Sequence, residues 1–223
     1  MVRTAAVGVV FAGTLIAVPL TAGADQTAAA FPTFGLPFAA GQETGSAGIH
    51  SDDGTSGVKN AIDLNPVDGT VRAPLAGTAH LQHCDGGDWV TVDHEDGWRT
   101  GYYHMEGIQV TDGQQVEAGT PLGSIGNALP CGGSSTGAHV HFTLFKLSGT
   151  TARSADPVAA GNWDGLSYRQ ISGEVAAAVG EPVDGKVFGG WLFNEGSGQY
   201  SGTATRVRDE SVVKLPGRFK YEG

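Results

Sequence analysis

Residues 88–104 read DWVTVDH-EDG-WRTGYYH. Two runs rich in Val, Thr, Trp and Tyr flank a short Gly-containing segment, which is the pattern of a β-hairpin. The turn is expected to centre on Glu95 to Gly97. Working outward, the same strand-and-turn texture continues on both sides. VKNAIDL (58–64) and TVRAPLAGTAHL (70–81) precede it; IQVTDGQQVEAGTPLGSIG (108–126) and AHVHFTLF (138–145) follow. The chain holds 36 Gly and 10 Pro, only 8% aromatic residues, and no long apolar stretch of 3.6 period. Many short strands joined by tight turns follow from that composition, so the fold class is mostly β with an antiparallel sheet core.

The first 24 residues have a different texture. One cation, Arg3, precedes an apolar run from Ala5 to Leu20, and Ala22-Gly23-Ala24 then supplies small residues at a signal-peptidase site. The run is about 16 residues diluted with Gly, Ala and Thr, short of the roughly 20 a bilayer span needs. A cleaved signal peptide over 1–24 and a secreted, extracellular protein are expected. Residues 25–45 (DQTAAAFPTFGLPFAAGQETG) lack any period and read as an irregular N-terminal arm laid on the body. The core of the domain is placed at 46–150. Beyond it, 151–223 carries a weak helical stretch, Ser172 to Val179, then FGGWLFNEGSGQYSGTATRVRDESVVKL (188–215), which reads as two or three strands. No Pro, Ser or Gly repeat separates it from the core, so it is expected to be a β-rich extension of the same domain rather than a separate module.

The formal net charge of -10 argues against a polyanion-binding surface, which excludes nucleic acid as a partner. No membrane contact is expected once the leader is gone, and a monomer is expected. Two cysteines, Cys84 and Cys131, in an exported chain are expected to form a disulfide.

Seven histidines are present. In AHVHF, His139 and His141 project from the same side of a strand, because side chains two apart share a face. Two imidazoles so placed suit a metal site, one as ligand and the other for acid–base work. In GIHSDDGTSGVKNAIDL (48–64), His50 is followed by Asp63 within the apolar run Ala61-Ile62-Asp63-Leu64. A carboxylate among apolar neighbours needs a partner, and a metal ion is one. His80, His83 and His94 carry no such pattern and read as surface or hairpin residues.

Four blocks now stand in order: GIHSDDGTSGVKNAIDL, TGYYHM (100–105), GQQVEAGTPLGSIG (113–126) and GGSSTGAHVHFTL (132–144). In that order they resemble the lysostaphin-type zinc metallopeptidases, and the long His-to-Asp spacing with CGGSSTGAHVHF looks most like their beta-lytic branch. The resemblance covers about residues 34–146. It implies loops that form a substrate groove on the sheet and one Zn2+ per chain held by His50, Asp63 and His141. It also implies that His104 and His139 flank the metal-bound water, and that the substrates are peptide cross-bridges of bacterial peptidoglycan.

The implied chemistry agrees with the residue types. Catalytic zinc takes three His or carboxylate ligands and leaves a fourth position for water, whose pKa it lowers to about 7. No His-Glu-x-x-His helix motif supplies a carboxylate base, and an imidazole with an ordinary pKa of about 6.5 fits that vacancy. Either His104 or His139 can be the base; the other, with the metal, would hold the oxyanion. Tyr102, Tyr103 and Tyr168 are candidate oxyanion donors or, alternatively, packing and cleft wall. The Gly132–Gly137 stretch reads as a cleft-edge turn, and Asp85–Asp88, Ile125–Pro130 and Gly161–Tyr168 as loops that shape specificity. A second hypothesis is a catalytically inactive cell-wall binding or regulatory module of the same fold. Such proteins lose ligands or catalytic histidines, and this chain keeps all five positions.

Overall fold

The structure is a computed structural model that describes Met1 and residues 30–51, 59–146 and 181–223. The leader, the start of the arm, the Gly161–Tyr168 loop, and the Ser172–Val179 stretch lie outside the described residues.

The hairpin is the centre of the sheet. Its strands are β5 and β6 in the series β1 (Glu43–Ser51), β2 (Lys59–Pro66), β3 (Thr70–Arg72), β4 (Gly77–Cys84), β5 (Gly87–Asp93), β6 (Trp98–Tyr103), β7 (Gln114–Val116), β8 (Pro121–Ser124) and β9 (Val140–Lys146). The chain continues through β10 (Lys186–Phe188), β11 (Trp191–Glu195), β12 (Gly202–Arg206), β13 (Val212–Leu215) and β14 (Gly217–Lys220). Val90 pairs with Tyr102 and Asp93 with Arg99, and a single 3-10 turn, Glu95–Gly97, closes the loop. Asp96 and Gly97 there have φ of 56° and 73°, left-handed values that Gly adopts freely and Asp more readily than most residues. Arg99 donates to the Asp93 carboxylate across the same pair, which satisfies a guanidinium that is 1% exposed.

An eight-stranded antiparallel sheet runs in the order β14-β1-β2-β9-β6-β5-β4-β7. A four-stranded sheet of β10–β13 and the two-stranded β3-β8 accompany it. β14 pairs with β1 from Glu43↔Lys220 to Ser46↔Gly217, so the C-terminal strand supplies one edge of the main sheet.

One face of that sheet is apolar. Ile49, Ile62, Leu64, Val90, Val92, Tyr102, Val140, Phe142 and Leu144 are all fully buried on it. Phe34, Leu36 and Phe38 from the arm and Phe188 and Phe193 from the C-terminal region join the same cluster. Phe188 meets Phe142 edge-on at 5.6 Å between ring centroids. Each fully buried side chain of this size contributes roughly 1.5–3 kcal/mol by leaving water. With one face committed to this core, strand alternation sends every intervening residue to the other face, where the site lies.

Candidate metal centre and cleft

β1, β2 and β9 are neighbours, and their registers place three polar residues together. Asp63 pairs directly with His141 on one side and with Gly48 on the other, while His50 pairs with Ala61. His50, Asp63 and His141 therefore share the face opposite Ile49, Ile62 and Val140. Register shifts at Ser46/Gly48 and His50/Ser51 flank the His50 segment, the irregularities that re-aim side chains near functional sites.

All three are buried in the described structure, at 6%, 5% and 1% exposure. His50 Nε2 lies 3.0 Å from Asp63 Oδ2, and His141 Nδ1 lies 2.9 Å from Asp63 Oδ1. One coordinating atom from each residue falls within 4.8 Å of the others. Burial alone would raise the Asp63 carboxyl, but hydrogen bonds from His141 and His50 outweigh it and hold the group far below the usual carboxylate range. Burial pushes His141 down to about 3, so its imidazole is neutral and has a lone pair to offer. A buried N, O, N donor set with an ionised carboxylate fits a divalent ion such as zinc, which would take the place of the two N–H protons now facing Asp63.

Two further imidazoles border this group. His104, just past β6, has φ of 64°, a left-handed conformation uncommon for a non-Gly residue and concentrated at functional sites. Its Nδ1–H donates to Ala128 O at 2.9 Å, leaving the lone pair on Nε2. Burial lowers its pKa to about 4. His139, immediately before β9, donates Nδ1–H to Gly137 O at 2.8 Å, and its Nε2 stands 3.6 Å from Asp63 Oδ1. The rings of His104 and His139 are 4.6 Å apart. Backbone carbonyls thus fix the tautomer of both, with Nε2 as the basic atom in each. All five residues line one cleft of about 890 Å³.

The profile of peptidase family M23 matches residues 57–157. Beta-lytic metalloendopeptidase of Lysobacter enzymogenes is 30% identical over 132 residues, covering 52% of this chain and 73% of that protein. The chain belongs to peptidase family M23. Protease LasA of Pseudomonas aeruginosa is 42% identical over 121 residues, 49% of this chain. The match spans only 28% of LasA's own length. Among solved structures, the fold resembles pseudoalterin, described as an M23 metalloprotease from the deep sea. The TM-score is 0.60 at 23% identity, over 86% of this chain and 99% of that one.

The remaining candidates of this M23 chain fall in different places. Of the alternatives open for Tyr102 and Tyr103, the structure places neither in the lining of the cleft. Tyr102 is fully buried in the core, its hydroxyl 2.6 Å from Thr100 Oγ1, because alternation turns it away from the metal face. Tyr103 points to the site's face, yet its hydroxyl donates to Gly132 O at 2.9 Å and accepts from Cys131 N at 2.7 Å. Tyr168 lies outside the described residues. Among the described residues, the tyrosine at the cleft is Tyr200, whose ring is 4.8 Å from that of His50. Beside it, Gln199 Nε2 lies 2.9 Å from His50 Nδ1. Neither carries a local motif; both arrive from the β11–β12 loop through tertiary contact.

Neither Asp85–Asp88 nor Ile125–Pro130 lines the cleft directly, but the second loop stands behind it, holding His104 through the Ala128 carbonyl and pairing with His139 at Gly126. Among the described residues the cleft walls include 45–47, Asn65, 133–138 and Pro216-Gly217, so the cleft-edge turn expected at Gly132–Gly137 is joined by the start of β14, which the sequence did not indicate. Of the remaining histidines, His83 is exposed and bonded to Asp88, and His80 to Asp112. His94 lies in the hairpin but is not a surface residue; it is 7% exposed and bonded to Ala76 O and Thr100 Oγ1. Cys84 and Cys131 are bridged, with Cα atoms 5.1 Å apart. Among the described residues no helix is long and apolar enough to cross a membrane.

Proposed function

We propose that the protein is an exported, monomeric zinc metalloendopeptidase that hydrolyses peptide bonds in bacterial peptidoglycan cross-bridges. The observation that carries this reading is the joint placement of His50, Asp63 and His141 with two histidines whose Nε2 atoms are the basic ones. Zinc, when bound, supplies Lewis acidity to a water and to the scissile carbonyl. His104 or His139 takes the proton of the attacking water at Nε2 and returns it to the leaving amine. The other steadies the oxyanion when its Nε2 carries a proton to donate.

The cleft walls support the substrate class. Gly45, Ser46, Ala47, Gly133, Gly137 and Gly217 are small, so the backbone of an extended peptide can approach the walls closely. Gly-Gly and Gly-Ala linkages suit such a groove. Export is supported by the leader pattern and by the disulfide, which belongs to oxidising compartments.

The test is digestion of defined cross-bridge peptides with mass readout, on protein whose zinc content is measured by elemental analysis. Cleavage at glycyl bonds that a chelator abolishes and zinc restores is expected. Stoichiometrically zinc-loaded protein that leaves every such peptide intact would overturn the proposal.

A further inference from the structure

The Gln199–Ser201 turn is held against β1 by several independent contacts. Tyr200 N donates to Ile49 O at 3.0 Å, and Ile49 forms a bridge with Ser201. Ser201 closes the turn on itself, its backbone N donating to Gly198 O at 3.1 Å and its Oγ accepting from Gly198 N at 3.0 Å. At Gly48, φ is +120° and an added Cβ would sit 2.2 Å from Tyr200 O, so the glycine is what lets the turn approach. The outcome is a side-chain amide placed on the outer nitrogen of His50 from 149 residues away in sequence.

That position has a chemical consequence. Neutral imidazole carries one N–H and one lone pair, and the partner of one nitrogen fixes the role of the other. Here His50 Nε2 faces the Asp63 carboxylate and so carries the proton, which leaves Nδ1 to accept from the Gln199 amide. When a cation takes the Nε2 lone pair, the proton resides on Nδ1 and the partner there must accept. Among uncharged side chains, a carboxamide does either by exchanging its NH2 and C=O ends.

We propose that Gln199 is a positioning residue for His50, holding its ring through Nδ1 in both tautomers and accepting from Nδ1–H when a metal occupies Nε2. The C-terminal region thereby completes the outer shell of the metal centre. This rests on the reading of His50, Asp63 and His141 as ligands.

The experiment is zinc affinity of the full chain by competition with a chromophoric chelator, with melting of the metal-free forms as a folding control. Gln199→Met removes the acceptor at nearly the same length. It should weaken zinc about 10- to 100-fold, the usual loss when an outer partner of a ligand is removed. Gln199→Glu keeps an acceptor and should bind zinc at least as tightly as the wild type. A Met variant with wild-type affinity, or a Glu variant weakened like Met, overturns the proposal. If the Met variant does not fold, the Glu variant decides alone: weakened binding overturns the proposal and undiminished binding supports it. His50→Ala separates the two levels. If it keeps wild-type affinity, the ligand assignment itself fails; if it loses zinc while Gln199→Met does not, only the role of Gln199 fails.

Discussion

Asp63 sits directly across from His141 in the antiparallel β2–β9 pair, and its carboxylate accepts a hydrogen bond from His141 Nδ1 at 2.9 Å. The contact is a consequence of register. A slip of one residue would turn either side chain into the Ile62–Val140–Phe142 core, so the same packing that stabilises the sheet also assembles the centre.

That geometry separates two histidines on one strand. His141 is inside the proposed ligand set, whereas His139 has its Nδ1 on Gly137 O and its Nε2 toward the cleft. His141→Ala is expected to lose zinc and activity together. His139→Ala should keep zinc while kcat falls by about 10²–10⁴, the range for a lost acid–base group. Elemental analysis of both purified variants checks this, and equal metal loss in the two would contradict it.

Gly48→Ala tests the seat of the Tyr200 turn. The backbone there has φ +120°, and a Cβ meets Tyr200 O at 2.2 Å. A cost of about 1–3 kcal/mol from the backbone conformation alone is expected, with more from the displaced turn. Gly137→Ala is the control for stability, since an added Cβ there meets nothing within 4 Å. Calorimetry should show a lower melting temperature for the first and an unchanged one for the second.

The parts of this arrangement that were legible in the sequence are those governed by alternation. His139 and His141 two apart, and Asp63 inside an Ala-Ile-Asp-Leu run, announce a polar face backed by a core. The hairpin turn at Glu95–Gly97 was legible for the same local reason. Tyr102 and Tyr103 were harder, because which of two adjacent aromatic residues faces the core depends on the phase of β6, which pairing with β9 sets. Gln199, Tyr200 and the Pro216-Gly217 wall carry no local signal at all. They reach the cleft because β14 pairs with β1 and the β11–β12 loop docks at Gly48, both long-range events.

His94 gives a pH dependence. Burial lowers its pKa from the ordinary 6.5, against the opposing effects of the Ala76 carbonyl and Asp93. Its Nδ1–H donates to Ala76 O and its Nε2 accepts from Thr100 Oγ1, so the folded protein wants it neutral. Unfolded, it titrates near 6.5 and binds more protons than the folded form as pH falls. Its contribution is therefore fully present above about pH 6.5 and is lost as pH falls through the lower folded value. His94→Gln removes the titration. Urea midpoints of the zinc-loaded proteins between pH 8 and 5 should fall less steeply for the variant, and parallel curves would refute the assignment.

The last expectation concerns the Cys84–Cys131 bridge and the loop it anchors. The cysteines are 47 residues apart, and a closed loop of that length contributes about 4 kcal/mol in the chain-entropy picture, as an upper figure. That is a large share of the 5–15 kcal/mol typical of a domain. The bridge has company: Gly86 N donates to Pro130 O at 2.8 Å, and the Tyr103 hydroxyl bonds to both Cys131 N and Gly132 O. Three residues before Cys131, the Ala128 carbonyl accepts from His104 Nδ1 and so sets which nitrogen of His104 is basic. Loosening this loop should therefore reach catalysis through His104 while leaving His50, Asp63 and His141 in their strands. Cys84→Ser is expected to lower both the melting temperature and kcat with zinc retained. Tyr103→Phe, which deletes two hydrogen bonds but no covalent link, should cost about 1–3 kcal/mol and reduce kcat less. Thiol counting on the unfolded, non-reduced wild type is the direct check. Two free thiols there would remove the bridge from the account, and a Cys84→Ser protein with wild-type kcat would show that His104 is held without it.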